Sequence, residues 1–410
     1  MIEERPGSTS SLRRRNSAQV LQAVRQAGGL TQAEIARRSG LSPATVTNLV
    51  RDLAAAGQVE VAATVLNGRR SRLVTPVVPS GYVLGVDVGR SHIRAGLADL
   101  GLDLVAQGDR RMEPGLPAEQ GLELVGQLYQ EVLERAGVDR GEVLWAGVGV
   151  PGPLDQASQQ IGAGTMLPEW TGQDLRSRFA RLLGLPVAVD NDANLGALGE
   201  HAWPPGLSVR SMIYVRLATG IGGGLILDGR LYRGADGVAG EIGHATIDEN
   251  GPLCRCGNRG CLETMASIPS LLRVLASALD REVDVHGWVG LVRQGHTTAN
   301  RLIDELGHHL GVAVSNLCNL VNPSLVLLGG PIAAAGEALL EPVRSEVRRR
   351  SMPSAYDRLR VEASRHGEMS EVYGAARLAL DALTERMSAQ GEDLSQAPAT
   401  AGRGSGWTNS

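Results

Sequence analysis

Two stretches of this chain, about 130 residues apart, follow one pattern. Tyr82 to Val88 is an unbroken apolar run, Gly89-Arg90-Ser91 a turn, and Ile93 to Leu97 a returning run. Met212 to Leu217 starts the pattern again, with a turn from Ala218 to Gly223, a return over Gly224 to Leu227 and another turn at Asp228-Gly229. Continuous apolar runs of this length suit strands covered on both faces, and helical segments follow each copy. The repetition therefore predicts a duplicated α/β unit with a ligand in the cleft between the copies. Turns of this kind can fan out backbone N–H groups toward phosphate oxygens, although a lone glycine hairpin uses Gly only to reach positive φ.

Between the copies lie Gly147-Val-Gly-Val-Pro-Gly-Pro-Leu154 and Val187-Ala-Val-Asp190-Asn191-Asp192-Ala193-Asn194. The second is an apolar strand that empties into acids and amides before a helix from Leu195 to His201. Asn191 and Asp192 suit bidentate hydrogen bonding to vicinal hydroxyls, and Asp192 is placed to accept a hydroxyl proton. An Asx turn with a helix cap is the competing reading, strongest for Asn194.

The most specific element is Glu241-Ile-Gly-His244 followed by Cys254-Arg-Cys256-Gly-Asn-Arg-Gly-Cys261-Leu-Glu263. One imidazole and three thiolates form a closed tetrahedral donor set, so a zinc ion held by His244, Cys254, Cys256 and Cys261 would be structural and not catalytic. Its task would be to pin Glu241, His244 and Glu263 around one small polar pocket. Unligated thiols are the alternative. Cys318 stands apart in an apolar helical stretch and reads as core.

Charge is divided unevenly along the chain. All 40 basic residues are Arg, and residues 11–75 carry a net +7, which leaves −10 for residues 76–410. A small basic unit joined to a large acidic one is the expected footprint of nucleic-acid binding by the first. Apolar residues recur helically from Asn16 to about Gly28, Thr31-Gln-Ala-Glu34 satisfies a capping box, and a short helix Gln32 to Ser39 follows. Ser42-Pro43 then opens a third helix, Pro43 to Ala56, whose core face is Val46, Leu49, Val50 and Leu53. Its other face offers Ala44, Thr45, Thr47, Asn48 and Arg51, small and polar enough to enter a major groove, with Ser42 at its start. Val59 to Leu66, an Asn67-Gly68 turn and Arg69-Arg70-Ser71-Arg72 read as a two-stranded wing with an arginine-rich tip. A helical protein-interaction module is the rival reading. With 410 residues and 43% hydrophobic content the chain has material for two or three packed domains. No run of about 18 uncharged apolar residues and no secretory signal is evident, so a cytoplasmic protein without a membrane span is expected.

From residue 11 to about 385 these motifs resemble the ROK family of repressors, open reading frames and kinases, in its branch of winged-helix repressors fused to a sugar-kinase-like body. The resemblance implies an actin-like fold of two RNase H-like lobes, and the family's zinc ligands match His244, Cys254, Cys256 and Cys261. Its sugar-contacting residues map onto Asn191, Asp192, Glu241, His244 and Glu263, with Asp192 at the catalytic base. Nucleotide contacts would fall on Asp87, Gly89, Thr219, Gly220 and Gly222, and on Gly330 in Leu327-Leu-Gly-Gly330-Pro, which resembles the adenosine-side motif. The chain departs from the kinases in having Asp87-Val-Gly89-Arg90-Ser91 where they have Asp-x-Gly-Gly-Thr, which argues against ATP. It departs again at Met166-Leu-Pro-Glu-Trp170, where Asn often stands in place of Met166.

The expected organisation is a winged helix-turn-helix at 11–75, a ROK body at 81–385 and a disordered tail at 386–410, with residues 1–10 also disordered. The expected function is a sugar-responsive repressor of operator DNA, assembling as a homodimer or homotetramer as family members do. The alternative is an ATP-dependent hexose kinase with a DNA-binding appendage.

Overall fold

The computed structural model describes residues 16–390 apart from 18, 22, 25, 26, 28, 56, 67, 68, 77–80, 156, 157, 163–166 and 203–208. The chain forms two compact units, residues 1–82 with 99–103 and 383–410, and residues 83–98 with 104–382.

In the first unit the described residues between 16 and 27 are helical. Then come β1 (Leu30–Thr31), α1 (Gln32–Ser39), α2 (Pro43–Ala55), β2 (Val59–Leu66) and β3 (Arg69–Pro76). The capping box at Thr31 forms as expected, the hydroxyl accepting from Glu34 N while Glu34 accepts from Thr31 N at 2.9 Å. Gly40 ends α1 in the left-handed region at φ 69. Ser42 caps α2 by accepting from Thr45 N at 3.2 Å. Val20, Val24, Leu30, Ile35, Val46, Leu49, Val50, Leu53, Val59 and Val74 form its core, each contributing roughly 1.5–3 kcal/mol for full burial of a side chain of its kind. The sheet order is β1-β3-β2, so the short strand Leu30–Thr31, which the sequence reading did not include, pairs with β3, the second strand of the wing hairpin. Asn67-Gly68, the expected wing turn, lies outside the described residues.

The second unit opens with β4 (Tyr82–Val88), β5 (His92–Asp99), β6 (Leu104–Arg111), α3 (Ala118–Ala136), β7 (Val143–Val150), α4 (Leu175–Leu183), β8 (Val187–Asn191) and α5 (Asp192–Ala202). It continues with β9 (Met212–Leu217), β10 (Ile221–Leu227), β11 (Arg230–Tyr232), α6 (Leu262–Ala266), α7 (Ile268–Leu279), α8 (Val285–Arg293), α9 (Thr297–Val321), β12 (Leu325–Gly329), α10 (Glu337–Arg350), α11 (Pro353–Tyr356), β13 (Arg360–Ala363) and α12 (Ser370–Gln390). Its sheets run β6-β5-β4-β7-β8 and β11-β10-β9-β12-β13, one order twice, and so the duplication inferred from the paired runs is real at the level of topology. A long apolar core lies between the second sheet and α6 to α10, with Cys318 fully buried in α9 as expected.

Two helices tie the sheets together. Helix α12 lies directly on the first sheet, where a Cβ on Gly147 of β7 would meet Ala375 O at 1.9 Å. Helix α5 lies on the second, where a Cβ on Gly224 of β10 would meet Ala193 O at 2.3 Å. Each helix starts at the cleft between the sheets, and Asp192 and Glu371, in the first turns of the two helices, both line it.

Three boundaries differ from the sequence reading. Helix α5 begins at Asp192 and not at Leu195. The second turn is shorter than expected, because Ile221, Gly222 and Gly223 already pair with Leu217, Arg216 and Val215. Helix α12 continues to Gln390, five residues into the segment expected to be a disordered tail. Leu262 to Leu279 is apolar enough by composition to cross a membrane, but it is two helices broken at Ser267, where ψ is 135. A continuous 12-residue helix is too short to span a bilayer.

Candidate functional site

The second unit contains a cleft of about 670 Å³ lined from both sheets. Asn191, Asp192, Glu241, His244 and Glu263, the five sugar candidates, all line it. Thr219, Gly220, Gly222 and Gly330 line it as well, whereas Asp87 and Gly89 do not. Asp87 is fully buried at the end of β4. Its Oδ2 lies 2.9 Å from His92 Nε2 and 3.9 Å from guanidinium nitrogens of Arg94 and Arg216. Gly89 makes room for that imidazole, since a Cβ there would stand 2.3 Å from His92 Cε1. The first glycine turn thus packs against a histidine, and Arg90 projects into solvent at the rim. None of Gly89, Gly220, Gly222 or Gly223 adopts positive φ, so that explanation of these glycines fails; Gly89, Gly222 and Gly223 are instead closely packed, against His92, Ala193 and Gly240.

Asn191 ends β8 and caps α5. Its Oδ1 accepts from Ala193 N at 2.9 Å and Asn194 N at 3.2 Å, and its Nδ2 donates to Gly152 O at 3.0 Å. The cap role assigned to Asn194 therefore belongs to Asn191, while Asn194 donates to Asp190 at 3.0 Å. Asp190 is further held by Arg233, 2.7 Å away.

Asp192 is the first residue of α5, where the helix dipole favours negative charge. One oxygen accepts from its neighbour Ala193 N at 2.8 Å, and the other lies 3.0 Å from Arg216 Nη1. Burial raises the Asp192 pKa, with Arg216 opposing and Asp87 adding to the rise. Arg216 was not anticipated. It sits in β9, nine-tenths buried, and its Nε lies 2.9 Å from Glu371 Oε1. Glu371 also accepts from the Tyr214 hydroxyl at 3.0 Å, and burial pushes it up to about 7 despite the opposing Arg216 charge. Asp87 differs: burial would raise it, but His92, then Arg216 and Arg94, outweigh that and hold it at about 2. The available signal for Arg216 was a single charge inside the apolar run MIYVRL.

His244, Cys254, Cys256 and Cys261 converge, with one donor atom from each lying within 4.8 Å of the others. Cys254 Sγ is 3.5 Å from His244 Nδ1, and Cys256 Sγ is 3.7 Å from Cys261 Sγ. A tetrahedron with Zn–S bonds of ~2.3 Å has edges of about 3.8 Å, so this donor set fits a tetrahedral ion. The two imidazole nitrogens divide the work: Nδ1 faces the thiols, and Nε2 lies 4.0 Å from Glu241 Oε2 at the cleft. Arg255, between the first two cysteines, reaches Glu263 Oε1 at 3.0 Å, and Glu263 Oε2 accepts from Ile221 N at 3.2 Å. One carboxylate thereby joins the cysteine loop, the second glycine turn and the cleft.

In the first unit Ser42, Ala44, Thr47, Asn48, Arg51 and Arg72 are exposed and Thr45 is half-buried. Ser42 and Thr45 are 2.8 Å apart and occupied in capping, and Thr47 donates back to Pro43 O at 2.9 Å. Asn48 and Arg51 are exposed on the same helix, with Arg51 Nη2 3.8 Å from Asp52 Oδ1. Arg69 and Arg70 lie on β3, opposite Leu66 and Val65. Met166 lies outside the described residues, while Trp170, four positions later in the sequence, is buried and stacks on Phe179 at 5.9 Å.

Residues 83–382 match the ROK family and residues 13–60 the winged helix-turn-helix DNA-binding class. The chain belongs to the ROK family, with a DNA-binding winged unit ahead of the ROK body. It is 30% identical to the xylose repressor of Caldicellulosiruptor bescii over 90% of this chain and 96% of that protein. Its fold is similar to a ROK-family transcriptional regulator homologous to the Escherichia coli Mlc protein, at a TM-score of 0.68, 25% identity and coverage of 91% and 96%. The body alone is similar to a ROK glucokinase of Streptomyces griseus solved with glucose and AMPPNP, at a TM-score of 0.65, 29% identity and coverage of 73% and 100%.

Proposed function

We propose that this chain is a sugar-responsive transcriptional repressor: the winged unit binds operator DNA and a carbohydrate in the ROK cleft changes that affinity. The observation that carries the reading is one polar cleft gathering Asn191, Asp192, Glu241, His244 and Glu263 in a chain that also carries a winged helix. Sugar hydroxyls would meet carboxylates, an amide and an imidazole in a partly desolvated site, where each satisfied hydrogen bond discriminates strongly. A ligand shifts the DNA-binding equilibrium only by its differential affinity for the two states of the body, typically ~1–3 kcal/mol.

Zinc is the cation this donor set suits, and when bound it supplies a closed structural clamp. With Nδ1 turned toward the thiols as the fourth ligand, His244 would present Nε2 to the cleft in a fixed orientation. Arg255 holds Glu263 against the same pocket. A two-fold dimer reading an inverted repeat is the assembly this architecture favours.

The test is fluorescence anisotropy on the chain's own upstream DNA, alone and with xylose, glucose and a wider set of mono- and disaccharides, the first two chosen because similar proteins are named for or bind them. Expected is tight operator binding that one sugar alters at least about fivefold. Absence of DNA binding under every condition would remove the proposal. The kinase alternative draws on Asp192 and on Thr219 and Gly220 at the cleft. A coupled ADP-release assay decides it, turnover lost in Asp192→Asn being the result that would favour an enzyme.

A further inference from the structure

Arg216 occupies an unusual place for a charge. Strand β9 is otherwise apolar and fully buried, yet its fifth residue is an arginine only 8% exposed. Three carboxylates from three elements close around the guanidinium: Asp192 Oδ2 at 3.0 Å, Glu371 Oε1 at 2.9 Å and Asp87 Oδ2 at 3.9 Å. Tyr214, two residues earlier on the same face, fixes Glu371 by its hydroxyl. Asp87 carries His92 and Arg94 as well, Arg94 in turn being paired with Glu368, and Asp87 Oδ1 is buried with no hydrogen-bond partner.

A buried ion pair that loses one partner leaves an uncompensated charge, which the protein strongly disfavours. With Arg216 removed, Asp192 and Glu371 would face each other across an emptied space with Asp87 behind. Converging carboxylate oxygens are what a hard divalent cation takes. With Arg216 present, that position already holds a positive charge that cannot dissociate, and a metal-bound nucleotide whose cation sought these carboxylates would meet the guanidinium instead.

We propose that Arg216 is a resident cation that closes this end of the cleft to a metal–nucleotide complex, leaving a site for an uncharged sugar. The second half rests on the receptor reading; the first half stands on the carboxylate cage alone. The site thereby keeps the hydroxyl-binding carboxylate Asp192 while lacking the cation that phosphoryl transfer requires to neutralise charge between phosphates. The glycine turn at Thr219 and Gly220 is then retained as backbone scaffolding of the cleft.

The experiment titrates Mn2+ and Mn-ADP against the full zinc-loaded chain, following free Mn2+ by electron paramagnetic resonance. The wild type is expected to show no saturable binding of either up to roughly 1 mM, the weak end of protein carboxylate sites. Arg216→Thr is expected to gain Mn2+ affinity by about tenfold or more, while Arg216→Lys, which keeps the charge, gains none. Should Arg216→Thr fail to fold, Arg216→Gln takes its place, retaining an amide donor for Glu371. Saturable Mn-ADP binding by the wild type overturns the proposal, as does a folded neutral variant that gains no Mn2+ site. A parallel thermal-shift series with sugars separates the two readings. Sugar stabilisation together with Mn-ADP binding sinks only this inference, and loss of every sugar response with Mn-ADP still excluded sinks only the receptor.

Discussion

Arg255 and Glu263 show how much function can rest on one side chain beside a metal site. Arg255 lies 36% exposed on the cysteine loop, yet it fixes a carboxylate that is 13% exposed in the cleft. Arg255→Met keeps an apolar stem and removes the donor. Sugar affinity measured by calorimetry should fall about 10- to 100-fold, the usual effect of losing a residue that orients a binding group, while zinc content per chain stays unchanged. Equal affinity in variant and wild type would refute the coupling. Glu371 carries the pH prediction. Its folded pKa is raised from 4.5 to about 7, so the folded state holds a proton that the unfolded state has lost. Its stabilising contribution is fully present below pH 4.5 and fades as pH rises through about 7. Glu371→Gln should flatten that part of the stability profile in urea titrations across this window, and a profile parallel to the wild type would contradict the assignment. Both residues also mark the limit of sequence reading. The His244 and cysteine set was legible because its spacing is local and its chemistry narrow, whereas Arg216 and Glu371 meet across 155 positions and no local pattern joins them.

At the scale of elements, local chemistry was a good guide where it closed on itself. Thr31 with Glu34, and Ser42 before Pro43, were legible because a cap needs only neighbouring residues. The second glycine turn misled for the converse reason: Gly222 and Gly223 look like turn residues, but they lie in β10, packed against Ala193 of α5 and against Gly240 O. The end of α12 was missed because it runs into a segment, from residue 386 on, that is rich in Ser, Gly, Ala and Thr and so resembles a linker in composition. Helices α5 and α12 themselves cross through missing side chains. A Cβ on Gly374 would stand 1.8 Å from Leu195 O, and one on Gly199 would stand 2.2 Å from Ser370 O. Gly374→Ala must therefore push the helices apart, at a cost of about 1–3 kcal/mol for overpacking. Because Asp192 starts α5 and Glu371 lies in the first turn of α12, the same change should weaken sugar binding as well as lower the melting temperature. A variant that melts earlier yet binds sugar with unchanged affinity would separate helix packing from cleft geometry and refute that link.

Over the whole molecule, the partition of charge between a +7 segment and a −10 remainder was readable from sequence because counting needs no geometry. What it predicts is a binding curve. Each phosphate neutralised by an arginine releases counterions, so the logarithm of the DNA affinity falls with the logarithm of salt by about 0.9 per contact. Arg72 is exposed on β3 and suited to the backbone, while Asn48 is exposed on α2 and suited to a base edge. The two substitutions should thus behave differently on one operator fragment. Asn48→Ala should cost roughly 1–3 kcal/mol on the operator and little on random DNA, with the salt slope intact. Arg72→Ala should weaken both DNAs alike and reduce the slope by about one unit for each wing engaged. A loss of about two units therefore reports two chains on one site, the arrangement expected of a two-fold dimer on an inverted repeat. A loss near one would mark a single winged unit as the bound species, and an unchanged slope in Arg72→Ala would mean that this arginine does not contact the phosphate backbone at all.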